Sequence, residues 1–167
     1  MSNELELPKQ GQVQIKKLNQ KEKRKNSIRI GTLNIGTLNG KSRDLVDLMQ
    51  RRVNILCLQD TRWKGNKAKE LGEEYKLFVS GKGGRNGVGI VIDKVLKDSV
   101  CEVKQRCVRI MSVKLDIGGI FIMIVCVYAP QPGSGEEEKT NFWTDLDQVI
   151  MCVHINHEQE INLWEGI

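Results

Sequence analysis

The chain has 167 residues, 40% hydrophobic, 28% charged and 5% aromatic, which excludes a collagen-like, mucin-like or fully disordered protein. That length suits one domain with a sizeable core, and the longest apolar run, Ile120 to Ala129, falls well short of the ~20 residues a membrane helix requires. The net charge of +5 is unevenly laid out: residues 1–30 hold eight basic and three acidic groups, residues 31–110 hold 16 and 9, and residues 111–167 hold 2 and 9. Such a gradient points to a polyanionic partner, a solvated surface being the plain alternative.

In chain order, residues 1–26 come first, with the cluster Lys16-Lys17 and Lys21 to Lys25 and few apolar side chains, and are expected to form a basic, disordered arm. The N-terminus has no apolar signal region, so a secreted protein is not expected, and a nuclear or cytoplasmic one is. Ser27 to Ile35 reads as a strand, Gly36 to Gly40 as a loop, and Lys41 to Arg52 as a helix with Leu45, Val46, Leu48 and Met49 at helical spacing. Val53 to Gln59 is a nearly continuous apolar run, the mark of a strand buried on both faces, and completes a strand–helix–strand opening. Asp60 to Glu74, polar and basic, reads as loop with a short helix.

Consecutive strands follow. Tyr75–Ser80, Gly87–Asp93 and Ser99–Lys104 precede Val108–Ile117 and Ile120–Ala129, which flank the hairpin signal Gly118-Gly119. After a loop over Pro130–Gly135, Ser134 and Glu137 suit a capping box, opening a helix with Phe142, Leu146, Val149 and Ile150 on one face. From about Met151 the periodicity decays. The pattern argues for an α+β layered sandwich. Five cysteines, odd in number and without a CxxC, fit neither a disulfide framework nor a zinc site; Cys57, Cys101 and Cys126 suit small hydrophobes of a reduced protein. His154 and His157 stand at i, i+3 spacing, but with no third ligand near they read as surface histidines rather than a metal site.

Three segments put polar groups at the ends of apolar strands: Thr32-Leu33-Asn34, Gln59-Asp60-Thr61-Arg62-Trp63 and Tyr128-Ala129-Pro130. An amide with a carboxylate supplies the hard oxygens that Mg²⁺ prefers, whereas Asn34 as a turn-former, Asp60 as a loop cap and Tyr128 as a half-buried aromatic are the plain readings.

The segments RIGTLNIGTLNGK, VNILCLQDTRWKG, RNGVGIVI, MSVKLDI and YAPQPG resemble the first part of an endonuclease/exonuclease/phosphatase domain. More closely they resemble that of Bov-B or RTE-type LINE retrotransposon endonucleases and the related craniofacial development protein 2 family. The likeness runs from about Ile28 to Ile150, so the expected organisation is an arm over 1–26, a partial domain over 27–150 and a divergent tail over 151–167. The resemblance implies an endonuclease/exonuclease/phosphatase-like four-layer α/β sandwich, C-terminally truncated, and Mg²⁺-dependent phosphodiester hydrolysis, in LINE enzymes the nicking of DNA.

By the same resemblance Asn34 matches the residue that helps position metal and phosphate, and Tyr128 the tyrosine touching the scissile phosphate; these are the catalytic candidates. Asp60 stands where the family has a metal-binding Glu, so Asp60 and Asn34 are the metal candidates. Arg62, Trp63, Arg85 and Asn86 are the nucleic-acid-binding candidates. Asp60 is one methylene shorter than Glu, withdrawing its carboxylate by about 1.5 Å, and the family's later Gly-Asp-x-Asn and Ser-Asp-His segments have no counterpart. The expectation is therefore weak or absent Mg²⁺ binding and a chain inactive alone, with a non-catalytic nucleic-acid-binding fragment as the alternative. DNA is the expected partner, a membrane is not, and exposed apolar strands invite self-association.

Overall fold

The fold is built on two sheets packed face to face, each backed by a helix. The computed structural model describes the backbone of residues 27–164 and the side chains of residues 27–153; the arm expected over 1–26 lies outside them. The first sheet holds β1 (Ile30–Asn34), β2 (Ile55–Gln59), β3 (Lys64–Leu71), β4 (Tyr75–Lys82) and β5 (Val88–Asp93) in the order β1-β2-β5-β4-β3. The pair β1 and β2 is parallel, joined by helix α1 (Ser42–Met49), and the remaining pairs are antiparallel. The second sheet is the antiparallel meander β6 (Val100–Cys107), β7 (Ile110–Ile117) and β8 (Ile120–Val127), followed by α2 (Glu136–Trp164).

Alternation along the strands divides the core in two. Ile55 and Cys57 of β2 and Ile90 and Ile92 of β5 meet Met111, Val113, Leu115, Ile124 and Cys126 of the second sheet. The intervening Leu56, Leu58 and Val91 face the other way, onto Leu45 and Met49 of α1 and Ile35 and Leu38 of the loop before it. Strands β2 and β5 are thus covered on both sides, and burying each Leu, Ile or Val side chain there contributes about 1.5–3 kcal/mol. On the outer face of the second sheet, Phe142 of α2 is buried and Arg106 of β6 pairs with Asp145 at 2.8 Å. The layers run α1, five-stranded sheet, three-stranded sheet, α2: the α+β four-layer order anticipated from the sequence.

Three local readings change. Lys64–Leu71 is a strand rather than loop and short helix, because β4 pairs with it along its whole length, and its position at the sheet edge leaves most of its side chains in solvent. Helix α2 runs to Trp164, past the decay of the apolar pattern, since residues 151–164 contain neither Pro nor Gly to end it. Cys101 is exposed, whereas Cys57 and Cys126 are buried between the sheets. The Cys126 thiol is held far above its ordinary pKa by its hydrogen bond with Cys57 and by burial, and its Sγ lies 3.3 Å from the Leu58 carbonyl; all five cysteines are free. Among the described residues no helix is long and apolar enough to cross a membrane. The side chains of His154 and His157 lie outside the described residues.

Candidate functional site

Three loops meet where β1, β2 and β5 end or begin, and backbone hydrogen bonds lace them together. Ile35 N–H donates to Gln59 and Leu38 N–H to Thr61, both at 2.9 Å; Thr61 N–H donates to Gly87 at 3.1 Å and Arg62 N–H to Asn86 at 2.8 Å. The approach of the last two segments depends on glycine. A Cβ at Gly87 would lie 2.5 Å from Thr61 Oγ1, and Gly87 has φ +94°. Three non-glycine residues of these loops also take left-handed backbone: Asp60 (φ 54°), Arg62 (φ 52°) and Asn86 (φ 58°). Such conformations cost about 1–3 kcal/mol each and persist only where surrounding structure holds them.

The left-handed turns at Asp60 and Arg62 bring their side chains together. Arg62 Nε lies 3.3 Å from both Asp60 oxygens, and an Nη donates to Oδ2 at 3.1 Å. The hydrogen bond and the charge of Asp60 raise the guanidinium above the ordinary arginine pKa. Both residues line an open cavity of about 430 Å³ together with Arg85 and Asn86 of the β4–β5 turn and Tyr128 just after β8. Arg109, Gln131, Ser134 and Glu138 complete the lining with Gly84.

Arg109 carries no motif and is not a candidate from sequence. It precedes β7, and it is the most buried arginine at the cavity, with only 9% of its side chain exposed. It donates to Glu138 at 2.6 and 3.0 Å and to the carbonyls of Tyr128 and Ala129 at 3.1 and 3.4 Å, and lies 5.1 Å from the Tyr128 ring centre. Its hydrogen bond holds the Glu138 carboxyl below the usual range, assisted by Ser134 and the nearby charge of Arg85. Ser134 thus serves Glu138, and helix α2 begins at Glu136.

Of the sequence candidates, Asp60, Arg62, Arg85, Asn86 and Tyr128 share this cavity. Asn34 ends β1 beside Gln59, outside the lining, and its side-chain oxygen accepts from Gly36 N–H at 3.2 Å. Trp63 lies on the other side of the sheet, against the α1 core, where it borders a small crevice with Leu38 and Leu77. The two left-handed residues before it turn the chain over. A magnesium ion requires several hard oxygens at short distance. Both Asp60 oxygens are engaged by Arg62, and among the described residues no three His, Cys, Asp or Glu stand together as a metal group. The residues present do not fit that ion.

No family model matches the chain. Two curated proteins named craniofacial development protein 2 are similar to it: that of Bos taurus is 26% identical over 125 residues, 72% of this chain and 21% of its own length. That of Tragulus javanicus is 25% identical over 125 residues, 72% of this chain and 22% of its own. An AP endonuclease from Archaeoglobus fulgidus superposes with a TM-score of 0.54 at 21% identity, over 72% of this chain and 49% of the other. The chain spans about a fifth of the length of the curated relatives and about half that of the solved structure. These likenesses establish an endonuclease/exonuclease/phosphatase-like fold, partially covered.

Proposed function

We propose that this chain is the first part of a DNA endonuclease domain of LINE retrotransposon origin, which binds nucleic acid and does not hydrolyse it unaided. The observation that carries the reading is the cavity at the strand ends, where Asp60, Arg62, Arg85, Asn86 and Tyr128 converge on one rim of the fold. Arginines and a phenol at the mouth of a sheet sandwich suit the phosphate backbone, which supplies most of the affinity for nucleic acid without regard to sequence.

Hydrolysis asks for more. It requires a metal or equivalent to stabilise developing charge and a group to orient the attacking water. Asp60 is committed to Arg62 and Asn34 to its own turn. Losing one electrostatic group of this kind costs about 10²–10³ in rate, so with Asp60 and Asn34 both engaged elsewhere little hydrolysis is expected. Binding of Mg²⁺ is accordingly weak or absent in the proposed function. The free cysteines suit a nuclear or cytoplasmic setting, and the exposed Ile120 and Phe121 of edge strand β8 suit self-association.

A plasmid-nicking assay with and without Mg²⁺, run beside a DNA-binding titration, tests the proposal. The expected result is salt-sensitive binding without nicking. Mg²⁺-dependent nicking abolished by Asn34→Ala would sink the claim of inactivity, and absence of binding at low salt would sink the nucleic-acid reading.

A further inference from the structure

Three guanidinium groups and two carboxylates line the cavity beside Tyr128, a net charge of +1. Two arginines are matched: Arg62 to Asp60 and Arg109 to Glu138. Among the described residues no hydrogen bond or ion pair engages the Arg85 side chain, which lies close enough to Glu138 to act on its charge. Arg62, with 52% of its side chain exposed, gives Nε and one Nη to Asp60 and keeps its remaining N–H donors. The cavity therefore holds unspent donors and surplus positive charge, while its only carboxylate aligned with a metal-binding position is occupied by an internal cation.

From this disagreement with a magnesium centre we infer that the cavity is a metal-independent phosphate site. Arg85 and the outer N–H groups of Arg62 take the anion, and Asp60 is the anchor that orients Arg62. The inference deepens the nucleic-acid reading by naming the group that is recognised, a phosphate, and by assigning Asp60 the role opposite to that of a metal ligand. A metal-binding Asp60 attracts the cation that holds the phosphate, so neutralising it weakens binding. An anchoring Asp60 offsets one arginine, so neutralising it strengthens binding.

The test uses the full chain in EDTA. Titration of inorganic pyrophosphate followed by ³¹P NMR reads the phosphate site directly, and anisotropy of a labelled short DNA duplex, in EDTA and in Mg²⁺, reads nucleic acid. Asn tolerates left-handed backbone, so Asp60→Asn keeps the loop at φ 54°; Arg85→Gln alters an exposed side chain. The expected results are pyrophosphate binding in EDTA, tightening in Asp60→Asn, and a loss of about tenfold in Arg85→Gln. The duplex is expected to bind equally with EDTA and Mg²⁺. Pyrophosphate binding without duplex binding would retain the phosphate site and remove the nucleic-acid reading. Duplex binding that needs Mg²⁺ and is lost in Asp60→Asn would overturn the inference and leave the nucleic-acid reading standing. Unaltered pyrophosphate binding by Arg85→Gln, or none by the wild type, would also overturn the inference.

Discussion

The guanidinium of Arg109 lies 5.1 Å from the ring centre of Tyr128 while donating to that residue's own carbonyl oxygen at 3.1 Å. One side chain thus holds both the ring and the backbone of the residue that closes the cavity, and its third attachment, Glu138, ties the start of α2 to the same point. Replacing Arg109 with Met keeps its apolar stem and removes these bonds, leaving the Tyr128 carbonyl without that donor. The expected loss of stability is about 1–3 kcal/mol, measured by urea unfolding, together with weaker pyrophosphate binding because the cavity lining loses its net positive charge.

The Glu138 link gives the chain a defined acid response. Its carboxyl is lowered in the folded state by Arg109, so the stabilisation is present above the ordinary glutamate pKa and is lost as pH falls through the lower folded value. Wild type and Glu138→Gln should therefore differ in Tm at neutral and mildly acidic pH. The two curves should converge only below the ordinary glutamate range. Convergence well above it would show that the pair contributes nothing.

Gly87→Ala should be among the most damaging single changes near the cavity. The new methyl would stand 2.5 Å from Thr61 Oγ1 and 3.1 Å from the Ser80 carbonyl, on a residue at φ +94°. A loss of about 1–3 kcal/mol is expected from the backbone conformation alone. Because Gly87 receives the Thr61 N–H, the same change should displace Arg62 and Asn86 and reduce phosphate binding beyond what the lost stability explains.

Deleting residues 1–26 should flatten the dependence of DNA affinity on salt, since each phosphate-bound Lys or Arg removed takes about one unit from the slope. The cluster from Lys16 to Lys25 is the source of this expectation. Identical affinities of full and shortened chains at every ionic strength would make the arm solvated surface.

What the sequence revealed followed the apolar signal. Val53–Gln59 reads as a strand covered on both faces because most of it, Ile55–Gln59, is one, and Gly118-Gly119 marks the β7–β8 hairpin, both glycines at positive φ. Strand β3 escaped because an edge strand exposed on both faces has no alternation to read; its pairing with β4 is the whole of its signal. Arg109 escaped for a different reason: its partner Glu138 is 29 residues away, and nothing local marks it. Trp63 was legible as an aromatic next to the site residues, but the left-handed turns that send it to the opposite face are invisible in a pattern of residue types. The grouping of Asp60 with Tyr128 was readable from strand ends, and the ion pair occupying Asp60 was not.

Among the described residues the two sheets have four edge strands, and these are unequally guarded. Strand β1 has only five residues, β3 carries Lys64, Lys67 and Lys69, and β6 carries Glu102, Lys104 and Arg106 with two register irregularities. Strand β8 runs eight residues, IFIMIVCV, in unbroken register with β7 and without a charge. Short, charged and bulged edges resist pairing with another chain, and β8 has none of these defences. As the single permissive edge among the described residues, β8 can join only one neighbour, and two such edges laid antiparallel about a twofold axis consume each other. Association through β8 should therefore saturate at two chains instead of propagating into fibres. Sedimentation should show a concentration-dependent dimer that a lysine at Met123 or Val125 abolishes.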